Sequence, residues 1–187
     1  MSSSSSRGFD VVVVGSANLD LVARATRLPK PGETVSGSHF FEACGGKGVN
    51  QAIAAARAGA RTAFIGALGR DHAGETLLAA LVKDGVDVSA VQRVSAPTGR
   101  ALIGVSDDGE NSIIVVPGAN HAIGIDDIEK HKTVISSAKV LLCQLEVPLP
   151  VVQRAFELAG SSTTRILNPA PAQTFSNSLL GVVDIIT

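Results

Sequence analysis

The sequence has few cysteines, few charges and no long apolar run, and each shortage excludes a class of protein. Cys44 and Cys143, its two cysteines, lie outside any CxxC or Cys/His pattern, which argues against a disulfide framework or a zinc site. No apolar stretch is long enough to span a bilayer, so no membrane partner is expected. Charged residues make up 18% of the chain and the formal net charge is -1, which gives no basic field for nucleic acid.

The composition favours a globular domain that acts on small molecules. The 187 residues are 45% hydrophobic, enough to bury a sizeable core. Residues 1–9 open with a serine run, and we expect them to form a disordered leader before a folded domain at residues 10–187. The cysteine usage fits a reducing compartment, and the expected location is the cytoplasm, with the nucleus as the alternative.

A glycine-rich octapeptide at residues 44–51 is the most distinctive stretch. It reads Cys-Gly-Gly-Lys-Gly-Val-Asn-Gln and opens a run with helical spacing of apolar and small residues. Backbone amides and a lysine at a helix N-terminus favour an oxygen-rich ligand. A Walker A loop is excluded, because Phe41 replaces its first glycine and Gly48 its serine or threonine. Taken alone, a glycine-rich turn with a solvated lysine is the competing interpretation.

The first predicted strand ends beside two polar residues. Four consecutive valines at 11–14 are typical of a strand buried on both faces of a parallel sheet. Asn18 and Asp20 follow at its carboxyl end, where open α/β sheets bind ligands. An Asx turn that leaves the strand is the alternative interpretation.

Strand and helix patterns alternate along most of the chain, which predicts an α/β fold. Residues 33–42 instead resemble an exposed antiparallel strand, and residues 98–117 a hairpin around an Asp-Gly turn. We expect the hairpin to pair with the 33–42 strand in a small separate sheet. The other predicted strands are 62–68, 86–94, 140–145, 165–167 and 179–186, and the predicted helices are 49–58, 72–83, 126–137 and 148–160.

Four motifs in this order resemble the ribokinase-like carbohydrate kinase family. They are Gly-Ser-Ala-Asn-Leu-Asp at 15–20, Gly-Gly-Lys-Gly-Val-Asn-Gln at 45–51, Thr-Gly at 98–99, and Gln-Leu-Glu at 144–146 with Asn-Pro-Ala-Pro at 168–171. The resemblance runs from about Val11 to the last residue, and the lysine-containing motif is the most specific of the four.

The resemblance implies a Rossmann-like sheet with helices on both faces, plus a small β-sheet lid through which two copies form a homodimer. It also implies a site for D-ribose. A pentose has several hydroxyls and no charge, so carboxylates, asparagines and backbone amides suit its recognition. The substrate-binding residues implied by the family motifs are Asn18, Leu19, Asp20, Gly46, Lys47, Gly48, Val49, Asn50 and Glu146.

The same resemblance implies ATP, magnesium and potassium as cofactors. In the family, an Asn-x-x-Glu element and a Gly-Ala-Gly-Asp element organise the phosphates and supply the catalytic aspartate. Neither element occurs in this sequence. We therefore expect a chain truncated before its C-terminal nucleotide-binding half, with no catalytic residue of its own.

Two functions stay open at this point. The first is ATP-dependent phosphorylation of D-ribose to D-ribose 5-phosphate, with this chain as the ribose-binding half and inactive alone. The second is a non-catalytic form that binds ribose or dimerises through its lid. A third hypothesis, a dinucleotide-dependent oxidoreductase, is disfavoured because no GxGxxG follows the first strand. The histidines lie too far apart in sequence to suggest a metal site, so we predict surface or packing roles for them. They are His39, His72, His121 and His131.

Overall fold

The computed structural model describes residues 8–187, which form ten strands and six α-helices. The strands are β1 (Val11–Val14), β2 (Asn18–Ala25), β3 (Gly37–Gly45), β4 (Thr62–Gly69), β5 (Val91–Val94), β6 (Gly99–Ser106), β7 (Asn111–Val116), β8 (Val140–Cys143), β9 (Thr164–Leu167) and β10 (Ile185–Ile186). The helices are α1 (Lys47–Arg57), α2 (His72–Lys83), α3 (Ile125–Lys130), α4 (Lys132–Ser136), α5 (Leu149–Leu158) and α6 (Asn177–Leu180).

A parallel sheet of six strands, which we call the large sheet, forms the centre of the fold. Its order is β10-β9-β8-β1-β4-β5, and β1 pairs in parallel with β4 on one side and β8 on the other. The valines of β1 alternate between two apolar clusters. Val12 and Val14 pack with residues of α3, α4 and α5, whereas Val13 packs with residues of α1 and α2. Both faces of the sheet are therefore covered by helices, and the predicted α/β fold is confirmed.

Helix ends follow local sequence signals. The Asp71 carboxylate accepts a hydrogen bond from Gly74 N at 2.9 Å and caps α2, as its position before the helix predicts. Gly59, just after α1, has a φ of 92°, the left-handed conformation that a glycine adopts without a Cβ penalty. The predicted helix at 126–137 is two short helices, which meet at His131.

Strands β3, β2, β6 and β7, in that order, form a second sheet, which we call the small sheet. The hairpin of β6 and β7 is present as predicted. The prediction that it pairs directly with β3 is wrong, because β2 lies between them, antiparallel to β3 and parallel to β6. The sequence interpretation missed β2, which follows β1 after only Gly15–Ala17 and carries Asn18 and Asp20 into the small sheet.

Two predicted boundaries are corrected at the chain ends. Residues 1–7 of the predicted leader lie outside the described residues, but Phe9 packs against the larger apolar cluster, and its carbonyl accepts from Lys139 N at 3.2 Å. The predicted strand at 179–186 begins as a helix: Ser176 caps α6, and Leu179 buries its side chain from that helical turn. The strand itself is short: Ile185 and Ile186 pair in parallel with Ile166 and Leu167 of β9.

Candidate functional site

A cleft of about 570 Å³ lies between the small sheet and the ends of the large-sheet strands. Six of the residues predicted from the motifs line it. The cleft therefore brings together segments that lie far apart in sequence, from residue 18 to residue 146. Its lining residues are Asn18, Asp20, Gly46, Lys47, Asn50, Ala101, Ile103, Ile113, Val115, Pro117, Asn120, His121, Leu145, Glu146, Pro171 and Gln173.

Strand alternation explains which residues of β2 enter the cleft. Side chains two positions apart share one face of a strand, so Asn18 and Asp20 both line the cleft. Leu19 between them does not, and its side chain is buried. The predicted contact of Leu19 with a ligand therefore has no support from its side-chain position.

Helix α1 presents two polar side chains to the cleft from its first turn. Lys47 and Asn50 are three residues apart, which places them on the same helix face, and both line the cleft. Gly46, just before the helix, has a φ of 86°, and a Cβ there would lie 2.7 Å from Asn18 N. A glycine is therefore required where α1 begins beside β2.

The first-turn amides of α1 are bonded within the protein. Lys47 N donates to Glu146 Oε2 at 3.0 Å, Gly48 N donates to Ser16 Oγ at 3.3 Å, and Val49 N donates to Ser16 O at 2.9 Å. The first-turn amides of the octapeptide are thus not free to bind an anion. Its helix N-terminus instead holds a carboxylate of the same chain, an arrangement that the helix dipole favours.

Gly48 and Val49 pack against the interior of the protein and do not line the cleft. A Cβ on Gly48 would lie 2.6 Å from Ser16 N and 2.7 Å from Ser16 O, and Val49 is fully buried in the apolar cluster under α1. Of the predicted binding residues, these two therefore lie behind the cleft lining, in the same helical turn as Lys47 and Asn50.

Two carboxylates share the cleft. The pKa of Asp20 is raised, chiefly because burial penalises its charged form and secondly because the negative charge of Glu146 is near. Asp20 has no hydrogen-bond partner among the described residues, whereas Glu146 is fixed through Oε2 by Ser16 and Lys47. Asp20 therefore remains a strong acceptor without a donor.

The opposite wall of the cleft is apolar. Ala101 and Ile103 of β6 and Ile113 and Val115 of β7 line it, and their registers, Ala101 with Val115 and Ile103 with Ile113, place them on one face of the small sheet. A cleft with one polar and one apolar wall suits a ligand that has hydroxyls on one side and C–H groups on the other.

Several cleft residues were missed from the sequence. Asn120 and His121 belong to a 3₁₀ turn, Gly118–His121, and Gln173 donates from Nε2 to Leu145 O at 2.9 Å. His121, for which the sequence predicted a surface or packing role, is exposed at the cleft wall. No sequence pattern marked these residues, since each reaches the cleft through the folding of distant segments.

The small sheet is joined to α2 by a buried threonine. Thr98 Oγ1 donates to Asp71 Oδ1 at 2.5 Å and accepts from Gly69 N at 2.9 Å. Arg100, which had no assigned role, lies with Nη2 3.7 Å from Asp71 Oδ2. Burial acts to raise the pKa of Asp71, but hydrogen bonds from Thr98 and Gly74 and the charge of Arg100 together lower it.

Within residues 8–187, no group of three or more His, Cys, Asp or Glu side chains is arranged to hold a metal ion. These side chains therefore supply no ligand cluster for magnesium or potassium. The same part of the chain contains no helix with the length and apolarity that a bilayer crossing requires.

The fold and cleft define a class: a two-sheet α/β protein whose cleft has one polar and one apolar wall. The sequence pattern of the "pfkB family carbohydrate kinase" matches residues 9–187. The chain therefore belongs to the pfkB family of carbohydrate kinases.

Ribokinases are among the proteins to which the chain is similar. It is 42% identical over 179 residues to the ribokinase of Haemophilus influenzae, covering 95% of this chain and 58% of that protein. It is 43% identical over 164 residues to the mouse ribokinase, covering 87% of this chain and 51% of that protein. The chain thus spans little more than half the length of these relatives.

A solved structure with a similar fold contains bound ligands. The Arabidopsis thaliana ribokinase complexed with ribose and ATP superimposes with a TM-score of 0.83 and 35% sequence identity. The match covers 96% of this chain and 59% of that one. The two-sheet architecture is therefore shared with a protein that binds a sugar and a nucleotide.

Proposed function

We propose that this chain binds D-ribose in the cleft, as the sugar-binding part of an ATP-dependent kinase that forms D-ribose 5-phosphate. The observation that carries the proposal is the convergence of Asp20, Lys47, Asn50 and Glu146 on one cleft whose facing wall is apolar. Similarity to ribokinases of bacteria and mammals, and to a ribokinase complexed with ribose, supports it.

Each polar residue has a distinct part in holding the sugar. Asp20 and Glu146 accept hydrogen bonds from hydroxyls, Lys47 donates, and Asn50 does either. Asp20 gains most from the ligand, because its carboxylate has no protein donor and its pKa is raised by burial. A sugar that lacks a hydroxyl at this point leaves the carboxylate buried and unpaired, which gives the site its selectivity.

Phosphoryl transfer is assigned to the whole kinase and not to these residues alone. ATP, magnesium and potassium are part of the proposal for that kinase. The sequence lacks both the Asn-x-x-Glu and the Gly-Ala-Gly-Asp elements, and the described residues contain no group of three or more His, Cys, Asp or Glu that could hold a metal ion. We therefore expect the 187-residue chain to bind ribose without turning it over.

Calorimetric titration of the folded chain with D-ribose tests the binding proposal. We expect saturable heat with one site, strongly reduced in Asp20→Asn and unchanged in Asp107→Asn, which alters an exposed carboxylate in the β6–β7 turn. Absence of heat from a folded sample would contradict the proposal. A separate assay of ribose-dependent ADP release, with magnesium and potassium present, tests whether the chain alone is inactive. Turnover typical of a kinase, about 1 to 100 per second, would refute the expected inactivity.

A non-catalytic dimerising form is the second candidate function, favoured by the exposed apolar surface of the small sheet. Phe40 is 64% exposed and Ile114 65% exposed, and Leu102 and Val116 are also exposed on the same sheet face. Such a patch is typical of an interface. We propose that two copies pair through the small sheet. Sedimentation analysis of the wild type and of Ile114→Lys tests this, with a dimer converted to a monomer as the expected result and a monomeric wild type as the refuting one.

A further inference from the structure

Asn120 is buried at the back of the cleft and bonded to the residues that link β1 to β2. Its side chain is 1% exposed. Its Oδ1 accepts from Ala17 N at 2.8 Å, and its Nδ2 donates to Ala17 O at 3.2 Å and to Asn18 Oδ1 at 2.7 Å. One side chain thus contacts the backbone of residue 17 and the side chain of residue 18, across more than a hundred positions of sequence.

The backbone contacts fix which way the Asn120 amide points. A backbone N–H only donates and a backbone carbonyl only accepts, so Ala17 N requires the oxygen of Asn120 and Ala17 O requires its nitrogen. The nitrogen that faces Asn18 is therefore a donor. As a result Asn18 must turn its oxygen toward Asn120 and its Nδ2 away from it.

The packing around this pair requires a glycine at the neighbouring position of β6. Gly99 is the β6 residue paired with Asn18, and a Cβ there would lie 2.2 Å from Asn18 Oδ1 and 2.3 Å from Asn120 Nδ2. Asn18 lines the cleft, and its Nδ2 has no hydrogen-bond partner among the described residues. The N–H groups of Asn18 are therefore the part of this side chain that a ligand meets.

We infer that Asn120 is a positioning residue that sets the polarity of Asn18, so that the cleft presents a donor at this point and selects a ligand oxygen that accepts. The inference rests on the proposed function and extends it. A sugar hydroxyl that accepts from Asn18 keeps its own proton for an acceptor such as Asp20. Donor and carboxylate together hold a hydroxyl in one orientation.

Two substitutions reverse this polarity from opposite sides. In Asn120→Asp, an oxygen still accepts from Ala17 N, but the donor to both Ala17 O and Asn18 Oδ1 is lost, and the Asn18 amide then turns its nitrogen inward. In Asn18→Asp, the new carboxylate accepts from Asn120 and shows an oxygen to the cleft. We expect each variant to bind D-ribose about tenfold more weakly, the cost of a lost hydrogen bond at an unpaired polar group.

A double-mutant cycle separates positioning from a merely structural role. Calorimetry with D-ribose compares Asn120→Asp in the wild-type background and in an Asn18→Ala background, with circular dichroism and thermal unfolding as checks of folding. If Asn120 acts through Asn18, its substitution weakens binding about tenfold in the first background and less than about twofold in the second. Equal losses in both backgrounds, or wild-type affinity in Asn18→Asp, overturn the inference and leave the proposed function intact.

A measurement without ligand keeps the inference testable if ribose does not bind. Hydrogen exchange of the side-chain amides, followed by NMR in the wild-type chain, distinguishes the two asparagines. We expect the buried and bonded Asn120 amide protons to exchange slowly and those of Asn18 to exchange fast. Slow exchange at Asn18 with fast exchange at Asn120 would overturn the assigned polarity, whatever the ribose titration gives.

Discussion

Ser16 Oγ donates to Glu146 Oε2 at 2.5 Å and links the end of β1 to the segment after β8. The same hydroxyl oxygen accepts from Gly48 N at 3.3 Å. One small side chain thus orients the carboxylate of the cleft and satisfies an amide in the first turn of α1. Sequence reasoning gave Ser16 no role of its own, although it lies within a family motif.

Substitution of Ser16 by alanine should weaken both the fold and the site. Gly48 N is left buried without an acceptor, which costs about 1–3 kcal/mol, and the Tm should fall by about 2–4 °C for each kcal/mol. Glu146 loses one of its two donors, so affinity for D-ribose should fall about tenfold. Thermal unfolding and calorimetry measure the two effects. Ser162→Ala, at an exposed turn serine, is the matched control, and equal Tm values for the two variants would contradict the assignment.

Substitution of Gly48 by alanine tests how closely α1 packs against the backbone of residues 15 and 16. The added Cβ would lie 2.6 Å from Ser16 N and 2.7 Å from Gly15 C, and both are backbone atoms that do not yield easily. We expect a loss of about 1–3 kcal/mol from overpacking, measured by chemical denaturation. The control is Gly181→Ala, where the nearest atoms to a Cβ lie at an ordinary 3.6 Å. A Gly48→Ala protein as stable as that control would refute the close packing.

Substitution of Asp20 by asparagine should stabilise the ligand-free chain at neutral pH. Burial and the nearby Glu146 raise the pKa of Asp20 above its ordinary value of 3.8, so the folded state binds the proton more tightly than the unfolded state. Ionisation of Asp20 above its raised pKa therefore lowers the free energy of unfolding. The Tm of Asp20→Asn should exceed that of the wild type at pH 7.5.

The pH dependence of the Tm difference tests whether ionised Asp20 destabilises the fold. As the pH falls through the raised pKa towards 3.8, Asp20 in the wild type takes up its proton and the advantage of the asparagine should vanish. Thermal unfolding of both proteins between pH 7.5 and pH 4 measures the difference, with Asp107→Asn as the exposed control. A Tm difference that grows on acidification would show that Asp20 is stabilised in its charged form.

Substitution of Thr98 by valine tests the link between α2 and the small sheet. Valine keeps the shape but removes the hydroxyl that serves Asp71 and Gly69, so Gly69 N is left buried and unpaired at a cost of about 1–3 kcal/mol. Affinity for D-ribose should fall as well, because β6 begins at the next residue and carries the apolar wall. Thr26→Val, at an exposed threonine, is the control. A variant with wild-type stability and affinity would exclude a role of this link.

Local patterns predicted the parts of the fold that depend on local physics. The valine run, the Asp71 cap and the Asp-Gly hairpin each act through neighbours in sequence, and the structure has each of them where expected. Strand β2 was missed although its first residues alternate between polar and apolar. Its extended form depends on pairing with β3 and β6, whose positions no local pattern specifies.

The site was predictable only as far as its motifs extend. Asn18, Asp20, Lys47 and Glu146 could be named from family motifs, and the structure brings them to one cleft. Asn120 could not, because its role depends on contacts with Ala17 and Asn18 that exist only in the folded chain. Leu19 shows the opposite case: it lies within a motif, but strand alternation turns its side chain away from the cleft.

Mapping of D-ribose binding by NMR tests the central claim most directly. In ¹H–¹⁵N correlation spectra of the 19.1 kDa chain, saturating D-ribose should shift the backbone amides of Asn18, Gly46, Lys47 and Glu146 and leave those of residues 149–158, in α5, unchanged. This result would place the sugar between the small sheet and α1. A folded sample without shifts, or shifts confined to residues away from the cleft, would contradict the account.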